Sequence, residues 1–203
     1  MFKGVHDTYK KNNEKRQLLK EFKKVTICFA TMKYIIGLLV TTTASCGIWL
    51  VPQDCQSIQD AIDEAATGDE IIVSAGIWKE QIDFSGKTLI IRSEAGAEKT
   101  VIDADHQGSV VTCALGECSS VEGFTIRNGQ ATHGGGIYVF QSSPTFRFCM
   151  INFNVAEQGG GVYARNSNPI FDQCEFSFNE AQAGDGIWAK HARPELTACI
   201  FAG

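Results

Sequence analysis

The chain has 203 residues, of which 44% are hydrophobic and 20% charged, a composition that excludes wholesale disorder. Twenty Gly against four Pro favour a turn-rich β protein over a helical bundle. Residues 1–33 carry nine Lys or Arg against three acids, so residues 34–203, with 9 basic and 20 acidic residues, have a net charge of −11. Because nucleic-acid binding requires a basic face, we expect no nucleic-acid partner.

Residues 1–50 are predicted to be a basic segment followed by an export signal. A basic stretch precedes the short apolar run at 34–40, and small residues follow it. This order is typical of a secretory signal peptide, and the run is short for a membrane-spanning helix. Met32, which Lys33 follows, would open such a signal by itself, so we predict that translation starts there. Cleavage, lipidation at Cys46 and retention as a signal-anchor stay open, and each predicts a secreted or cell-surface protein that meets the membrane only through the anchor or the lipid.

The eight cysteines of the chain fit an exported protein, where disulfides can persist. No Cys-x-x-Cys pair exists, and the four histidines are scattered along the sequence. Metal sites built from Cys and His require closer spacing, so we expect none. His133 and His191 are predicted to be solvent-facing loop residues.

The first elements after residue 50 are a short helix and a series of strands. Apolar residues at 58, 61, 62 and 65 share one helical face, and Ser57 is a predicted N-cap. A helix over 57–66 can cover the open first coil of a solenoid, as a terminal cap must. The strand candidates that follow are short and rich in apolar and β-branched residues; they lie at 70–73, 88–92, 100–102, 109–113 and 121–127.

A repeat of 25 residues organises the second half of the chain. The segment 134–138, Gly-Gly-Gly-Ile-Tyr, recurs as Gly-Gly-Gly-Val-Tyr at 159–163 and as Gly-Asp-Gly-Ile-Trp at 184–188. Eleven of 25 positions are identical between the first two copies. Each copy fits three short strands and three turns, and such a coil buries its apolar face only by stacking on its neighbours.

We therefore predict an all-β protein, a parallel β-solenoid over 51–203. Its regular coils are expected at 134–158, 159–183 and 184–203. The third copy stops in mid-coil without a cap, so we expect a C-terminally truncated solenoid whose further coils would follow Gly203 in the full gene.

Equivalent residues of successive coils are expected one inter-strand spacing apart, about 4.8 Å. Two columns are predicted to be structural ladders, one of inward-facing thiols and one of turn asparagines: Cys149, Cys174 and Cys199, and Asn154 and Asn179. Disulfides between the thiols stay open as an alternative, although three members leave one thiol unpaired.

A third column is aromatic and consists of Tyr138, Tyr163 and Trp188. Each ring follows the repeated aliphatic residue by one position, so strand alternation places the rings and the aliphatic residues on opposite faces. The rings are predicted to belong to a stacked core or, if they face outward, to form a strip on which sugars stack.

These patterns resemble a known family. Three motifs lie in the run 57–103: Gly-Asp-Glu-Ile-Ile-Val at 68–73, Gly-Ile-Trp-Lys-Glu at 76–80 and Val-Ile-Asp at 101–103. The run resembles the opening of right-handed parallel β-helix proteins of the pectin-lyase-like superfamily. Gly-Phe-Thr-Ile-Arg-Asn-Gly at 123–129 and the coils after it resemble secreted repeat proteins of that superfamily and are similar to the repeats of chlamydial polymorphic outer-membrane proteins, with a third Gly in place of Ala. The resemblance covers about 52–203 and implies a right-handed parallel β-helix.

The resemblance also implies what an active site would contain. Pectate lyases hold calcium with clustered acids and take a proton with Arg or Lys, whereas polygalacturonases carry Asn-Thr-Asp, Asp-Asp and Gly-His-Gly motifs, which this chain lacks. The best acid cluster is Asp103 and Asp105, with Arg127 one coil later as a candidate base. Asp185, in the third Gly-rich turn, is a further calcium candidate. The favoured alternative is that these acids shape turns.

The sequence therefore predicts a secreted or cell-surface β-helix with a structural or binding role and no complete catalytic site. The expected partner is a polysaccharide or a cell-surface glycan, and no cofactor is expected. The alternative is a polysaccharide lyase or glycoside hydrolase that acts on acidic polysaccharide, and calcium is expected only in that case.

Overall fold

The computed structural model describes residues 46–202. The predicted signal segment and the predicted start at Met32 lie outside these residues. Residues 46–202 form a parallel β-helix of about six turns, so the predicted fold class is confirmed. The first strand begins at Ile48, and Cys46 lies exposed just before it. Within this part of the chain, no helix is long and apolar enough to cross a bilayer.

Short strands make up most of this β-helix. The elements of the less regular first part are β1 (Ile48–Val51), α1 (Ile58–Glu64), β2 (Glu70–Val73), β3 (Gly76–Lys79), β4 (Ile82–Asp83), β5 (Ile90–Ser93), β6 (Thr100–Asp103), β7 (Val111–Ala114), β8 (Ser120–Glu122) and β9 (Thr125–Arg127). The regular part contains β10 (Gln130–His133), β11 (Ile137–Phe140), β12 (Thr145–Arg147), β13 (Met150–Asn152), β14 (Val155–Gln158), β15 (Val162–Arg165), β16 (Ile170–Asp172), β17 (Glu175–Ser177), β18 (Glu180–Ala183), β19 (Ile187–Lys190), β20 (Glu195–Thr197) and β21 (Ile200–Ala202).

Four sheets run along the solenoid, and neighbouring strands within each are parallel. The strand orders are β1-β2-β5-β8-β12-β16-β20 in sheet A, β3-β6-β9-β13-β17-β21 in sheet B, β4-β7-β11-β15-β19 in sheet C and β10-β14-β18 in sheet D. In sheet C, Ile137 pairs with Val162 and Val162 with Ile187, so the 25-residue repeat is one turn of the solenoid.

The core fills the inside of the solenoid with columns that receive one side chain from each coil. Sheet B contributes an apolar column whose members are at most 2% exposed: Ile102, Ile126, Ile151 and Phe176. In sheet A, the rings of Phe146 and Phe171 stack with their centroids 5.3 Å apart. Each coil thus buries its apolar residues against the coils on either side of it.

Helix α1 caps the first coil, as the sequence predicts. Its buried face consists of Ile58, Ala61 and Ile62. Ser57 caps its N-terminus, because its hydroxyl oxygen accepts a hydrogen bond of 3.0 Å from the backbone N–H of Asp60. The carboxylate of Glu80 accepts two more backbone hydrogen bonds, of 3.0 and 2.9 Å, from the start of the helix. The helix is therefore held to the second coil by its own unpaired N–H groups.

The prediction of three strands per coil is wrong, because each regular coil has four. After Asn154 the chain forms β14 before it returns to sheet C, and β10 and β18 do the same in the neighbouring coils. The bend into this extra strand occurs at Phe153 and Phe178, which have φ values of 54° and 53°. Left-handed residues are usually Gly or Asn. These two Phe residues therefore gave no turn signal in the sequence.

The predicted strand over 121–127 is two strands, β8 and β9. The chain turns between them at Gly123, which has a φ of 75°. Phe124 then enters the core and is fully buried. A one-residue turn of this kind divides an apolar run without interrupting its hydrophobic pattern.

The asparagines form a hydrogen-bonded column where sheet B ends. The side-chain amide of Asn154 donates to the carbonyl of Ile126 at 3.1 Å and to the side-chain oxygen of Asn179 at 3.0 Å. Its own oxygen accepts from the backbone N–H of Gly129 at 2.9 Å. The amide of Asn179 donates to the carbonyl of Ile151 at 2.8 Å, so the pattern repeats one coil on.

Candidate functional site

The aromatic column lies on the outer face of sheet C. Ile137 and Val139 of β11 are fully buried, so Tyr138 between them points away from the core. The rings of Tyr138 and Tyr163 stack with centroids 5.5 Å apart and an angle of 3° between their planes. Tyr163 and Trp188 stack at 4.7 Å and 7°. These three residues form a continuous aromatic ladder along the axis of the solenoid.

Sheet D covers part of this ladder. His133, on β10, packs edge-on against Tyr163 with ring centroids 4.6 Å apart and an angle of 72°. Tyr163 is only 4% exposed, whereas Tyr138 and Trp188 are half-buried. The ladder therefore shows solvent the rims of its rings more than their faces. The prediction that His133 is a solvent-facing loop residue is wrong, because it lies on a strand and packs on an aromatic ring.

A column of two cations lies beside the ladder on the same face of sheet C. Arg165 and Lys190 pair in register on neighbouring strands, and both are exposed. The guanidinium carbon of Arg165 lies 5.9 Å from the centroid of the Phe140 ring, which supports it through a cation–π contact. Within residues 46–202, neither cation forms a salt bridge. We call Arg165 and Lys190 the basic column.

The basic column was missed in the sequence, although its signal is present there. Arg165 and Lys190 are separated by the 25-residue period and each lies two positions after a ladder residue. His191 and Arg193 follow, both exposed, in the turn after β19. This face is therefore locally cationic in a segment of the chain that has a net negative charge.

The acid cluster predicted from the sequence forms on sheet B. The Nε–H of Arg127 donates to Asp103 at 2.9 Å, and the side-chain amide of Asn128 donates to both carboxylate oxygens at 3.1 and 3.0 Å. The backbone N–H of Asp105 donates a further hydrogen bond at 3.0 Å. Burial acts to raise the pKa of Asp103, but these hydrogen bonds and the Arg127 charge outweigh it, so the pKa lies below its ordinary value.

This geometry ties neighbouring coils together. Asp103 is 4% exposed and its oxygens already accept four hydrogen bonds, which leaves little capacity for another ligand. Arg127 faces a carboxylate, which stabilises its protonated form and opposes a role as a base. Asp105 is exposed and lies 3.3 Å from the Lys79 ammonium.

Asp185 lies apart from this cluster, between β18 and β19. Its carboxylate accepts a hydrogen bond of 2.8 Å from the backbone N–H of Ala181 and so closes the turn between the two strands. Among the described residues, no group of three or more His, Cys, Asp or Glu side chains is arranged to hold a metal ion. The structure thus brings Asp103, Asp105 and Arg127 together and leaves Asp185 outside.

A scan against protein-family models gave no match, and a search of curated proteins gave none either. Among solved structures, a pectin methylesterase from carrot is similar with a TM-score of 0.61 and 18% identity over 80% of this chain. The match spans 55% of the carrot protein. Two crystal structures of pectin methylesterase in complex with hexasaccharides match 79% of this chain and 67% of theirs, at 12% and 13% identity and TM-scores of 0.48. At such identities the likeness shows the fold alone, and that fold is the pectin-lyase-like parallel β-helix.

Proposed function

We propose that this protein is a secreted or cell-surface β-helix that binds an acidic polysaccharide along the outer face of sheet C. The observation that carries the proposal is the basic column, two exposed cations without carboxylate partners beside an aromatic ladder. Unpaired cations next to aromatic groups suit a ligand that carries both carboxylates and sugar rings. The export signal predicted at 1–50 supports the proposed location.

The geometry favours a polymer that runs along the solenoid axis. Ladder and basic column both supply one side chain per coil, about 4.8 Å apart, so a repeating polymer meets the same pair of groups at each step. Arg165 can hold a carboxylate with two parallel N–H groups, and Lys190 can hold the next as a point charge. The rims of Tyr138 and Trp188 supply an O–H and an N–H for sugar hydroxyls.

The test compares binding of polygalacturonate and of a neutral glucan to the full chain by affinity gel electrophoresis and calorimetry. We expect retention by polygalacturonate alone, weakened by added salt because the contacts are ionic. Lys190→Ala is expected to weaken binding about tenfold, the equivalent of about 1.4 kcal/mol. Lys99→Ala is the matched control, since Lys99 is also exposed but lies just before β6, away from sheet C. Equal binding by the two variants would contradict the proposal.

A second candidate is an enzyme that acts on acidic polysaccharide, such as a lyase or a glycoside hydrolase. The fold likeness to carrot pectin methylesterase and the Asp103–Arg127 pair favour it, although one fold supports many functions. Incubation with polygalacturonate with and without calcium, followed by ultraviolet absorbance and reducing ends, separates the two candidates. Turnover that Asp103→Ala abolishes would establish the enzyme, whereas retention of the polymer without turnover supports the binding protein.

A further inference from the structure

The three cysteines of the repeat form a column of thiols that runs from the core toward the surface. Cys149 and Cys174 are 1% and 2% exposed, and Cys199 is half-buried. The carbonyl of Cys149 accepts from the backbone N–H of Glu175, and the carbonyl of Cys174 accepts from that of Ile200, both at 2.9 Å. Successive cysteines are therefore in register, with Cα atoms about 4.8 Å apart, inside the range that a disulfide can bridge.

The thiols share one orientation. The thiol of Cys149 lies 3.2 Å from the carbonyl of the residue two before it and 3.7 Å from the carbonyl 28 before it. Cys174 and Cys199 contact carbonyls at the same two offsets, at 3.3–3.5 Å. Phe124 precedes Cys149 in the column and is fully buried. The column is thus closed at Cys149 and accessible only at Cys199.

We propose that these thiols are a redox ladder, in which a small-molecule disulfide reacts at Cys199 and the new bond is passed inward until it joins Cys149 and Cys174. Nothing in the binding proposal requires this chemistry. The ladder would supply a covalent link between two coils whose polar contacts with each other are otherwise hydrogen bonds.

Three exchange steps account for every atom. The Cys199 thiolate attacks the external disulfide, forms a mixed disulfide and releases one small thiol. Cys174 then attacks the Cys199 sulfur and releases the second small thiol, leaving a bond between Cys174 and Cys199. Cys149 finally attacks Cys174 and frees Cys199. In total, two protein thiols are oxidised, one external disulfide is reduced to two thiols, and the two protons pass to the released thiolates.

The environment of the two inner thiols supports the last step. Burial acts to raise the pKa of Cys149, but a hydrogen bond from the Cys174 thiol and hydrogen bonds from the backbone of Phe124 and Gly123 outweigh it and lower the pKa. The same contact with Cys149, together with burial, raises the pKa of Cys174. Cys149 is therefore the member of the pair that ionises first and can act as the nucleophile.

The test exploits the trypsin sites of the chain. Cleavage after Arg147, Arg165 and Lys190 places the three cysteines in three different peptides. The folded full chain is incubated with oxidised glutathione, blocked with N-ethylmaleimide in denaturant, digested and analysed by mass spectrometry. We expect loss of two reactive thiols and a crosslinked peptide pair that contains Cys149 and Cys174. A terminal product that is glutathione on Cys199, a bond between Cys174 and Cys199, or no bond would overturn the proposal.

Two variants test the route. Cys199→Ser removes the accessible end, so formation of the inner bond is expected to slow about tenfold, because a buried thiol exchanges poorly. Cys118→Ser removes an exposed thiol outside the column and should leave the rate unchanged. Circular dichroism confirms that both variants are folded before oxidation. Equal rates in the two variants would overturn the route through Cys199.

Discussion

In the regular part of the β-helix every strand pairs with the strand 25 residues further on, from Ile137 with Val162 to Ser177 with Ala202. In the first part the same step varies. It is 20 residues from Glu70 to Ile90 and 30 from Ile90 to Ser120. The two parts share one set of sheets but differ in what holds successive coils together.

Identical side chains stack in the regular part, whereas single polar side chains connect the coils of the first part. The Phe146–Phe171 and Asn154–Asn179 pairs repeat the same contact at each step. By contrast, Glu80 holds the start of α1 and Lys87 donates to two carbonyls at its end, contacts that occur once. A constant step lets one stable contact recur, and a variable step requires a separate solution for each coil.

The largest expected effect comes from the cap. Ile62→Ala removes a fully buried side chain between α1 and the first coil, and we expect a loss of about 3 kcal/mol in the free energy of unfolding. Glu64→Ala, on the exposed side of the same helix, should change it by less than about 0.5 kcal/mol. Guanidinium unfolding followed by tryptophan fluorescence measures both. Equal midpoints for the two variants would show that α1 is not an essential cap.

In the regular part the matched pair is Asn154→Ala and Asn179→Ala. Asn154 is fully buried, so its removal leaves the carbonyl of Ile126 and the N–H of Gly129 without partners, at an expected cost of about 2.5 kcal/mol. Asn179 is half-buried, and water can replace part of its contacts, so we expect about half that loss. The same unfolding measurement ranks the two variants. A larger loss from Asn179→Ala would contradict the view that burial sets the strength of the ladder.

This contrast also explains how much the sequence could predict. A column is visible in a sequence when each coil must supply the same residue type, as for the first Gly of each triplet. Gly134, Gly159 and Gly184 adopt φ values of 61°, 69° and 73°, which favour Gly at every repeat. The parallel β-helix and its 25-residue turn followed from such positions.

The fourth strand of each coil and the basic column could not be recognised in the same way. Phe153 and Phe178 form the bend before the fourth strand, and their stacked rings, with centroids 5.1 Å apart, compensate for an unfavourable backbone conformation. Arg165 and Lys190 do follow the period, but Phe140 precedes them at the equivalent position, so the column changes residue type. What packs outside the solenoid is less constrained than what packs inside it.

The irregular part also contains a buried acid that no pattern in the sequence indicated. Glu117 is 1% exposed, and one of its carboxylate oxygens accepts from the hydroxyl of Ser142 at 3.1 Å. Its other oxygen has no hydrogen-bond partner among the described residues. Burial, and to a smaller extent the negative charge of Asp83, raise the pKa of Glu117 above its ordinary value of 4.5. The folded protein therefore binds this proton more tightly than the unfolded chain.

The smallest effect we expect is a dependence of stability on pH at this position. Because the folded-state pKa is raised, the contribution of Glu117 is fully present below pH 4.5 and is lost as pH rises through the folded-state value. Glu117→Gln removes this titration, so unfolding curves measured from pH 4 to 8 should show the natural protein losing stability relative to the variant, by at most about 1.4 kcal/mol per pH unit. Glu98→Gln, at an exposed turn, is the control and should run parallel to the natural protein. Parallel curves for all three proteins would mean that Glu117 reaches solvent and is held like the surface acids. An unsatisfied acid would then no longer distinguish the irregular coils from the repeating ones.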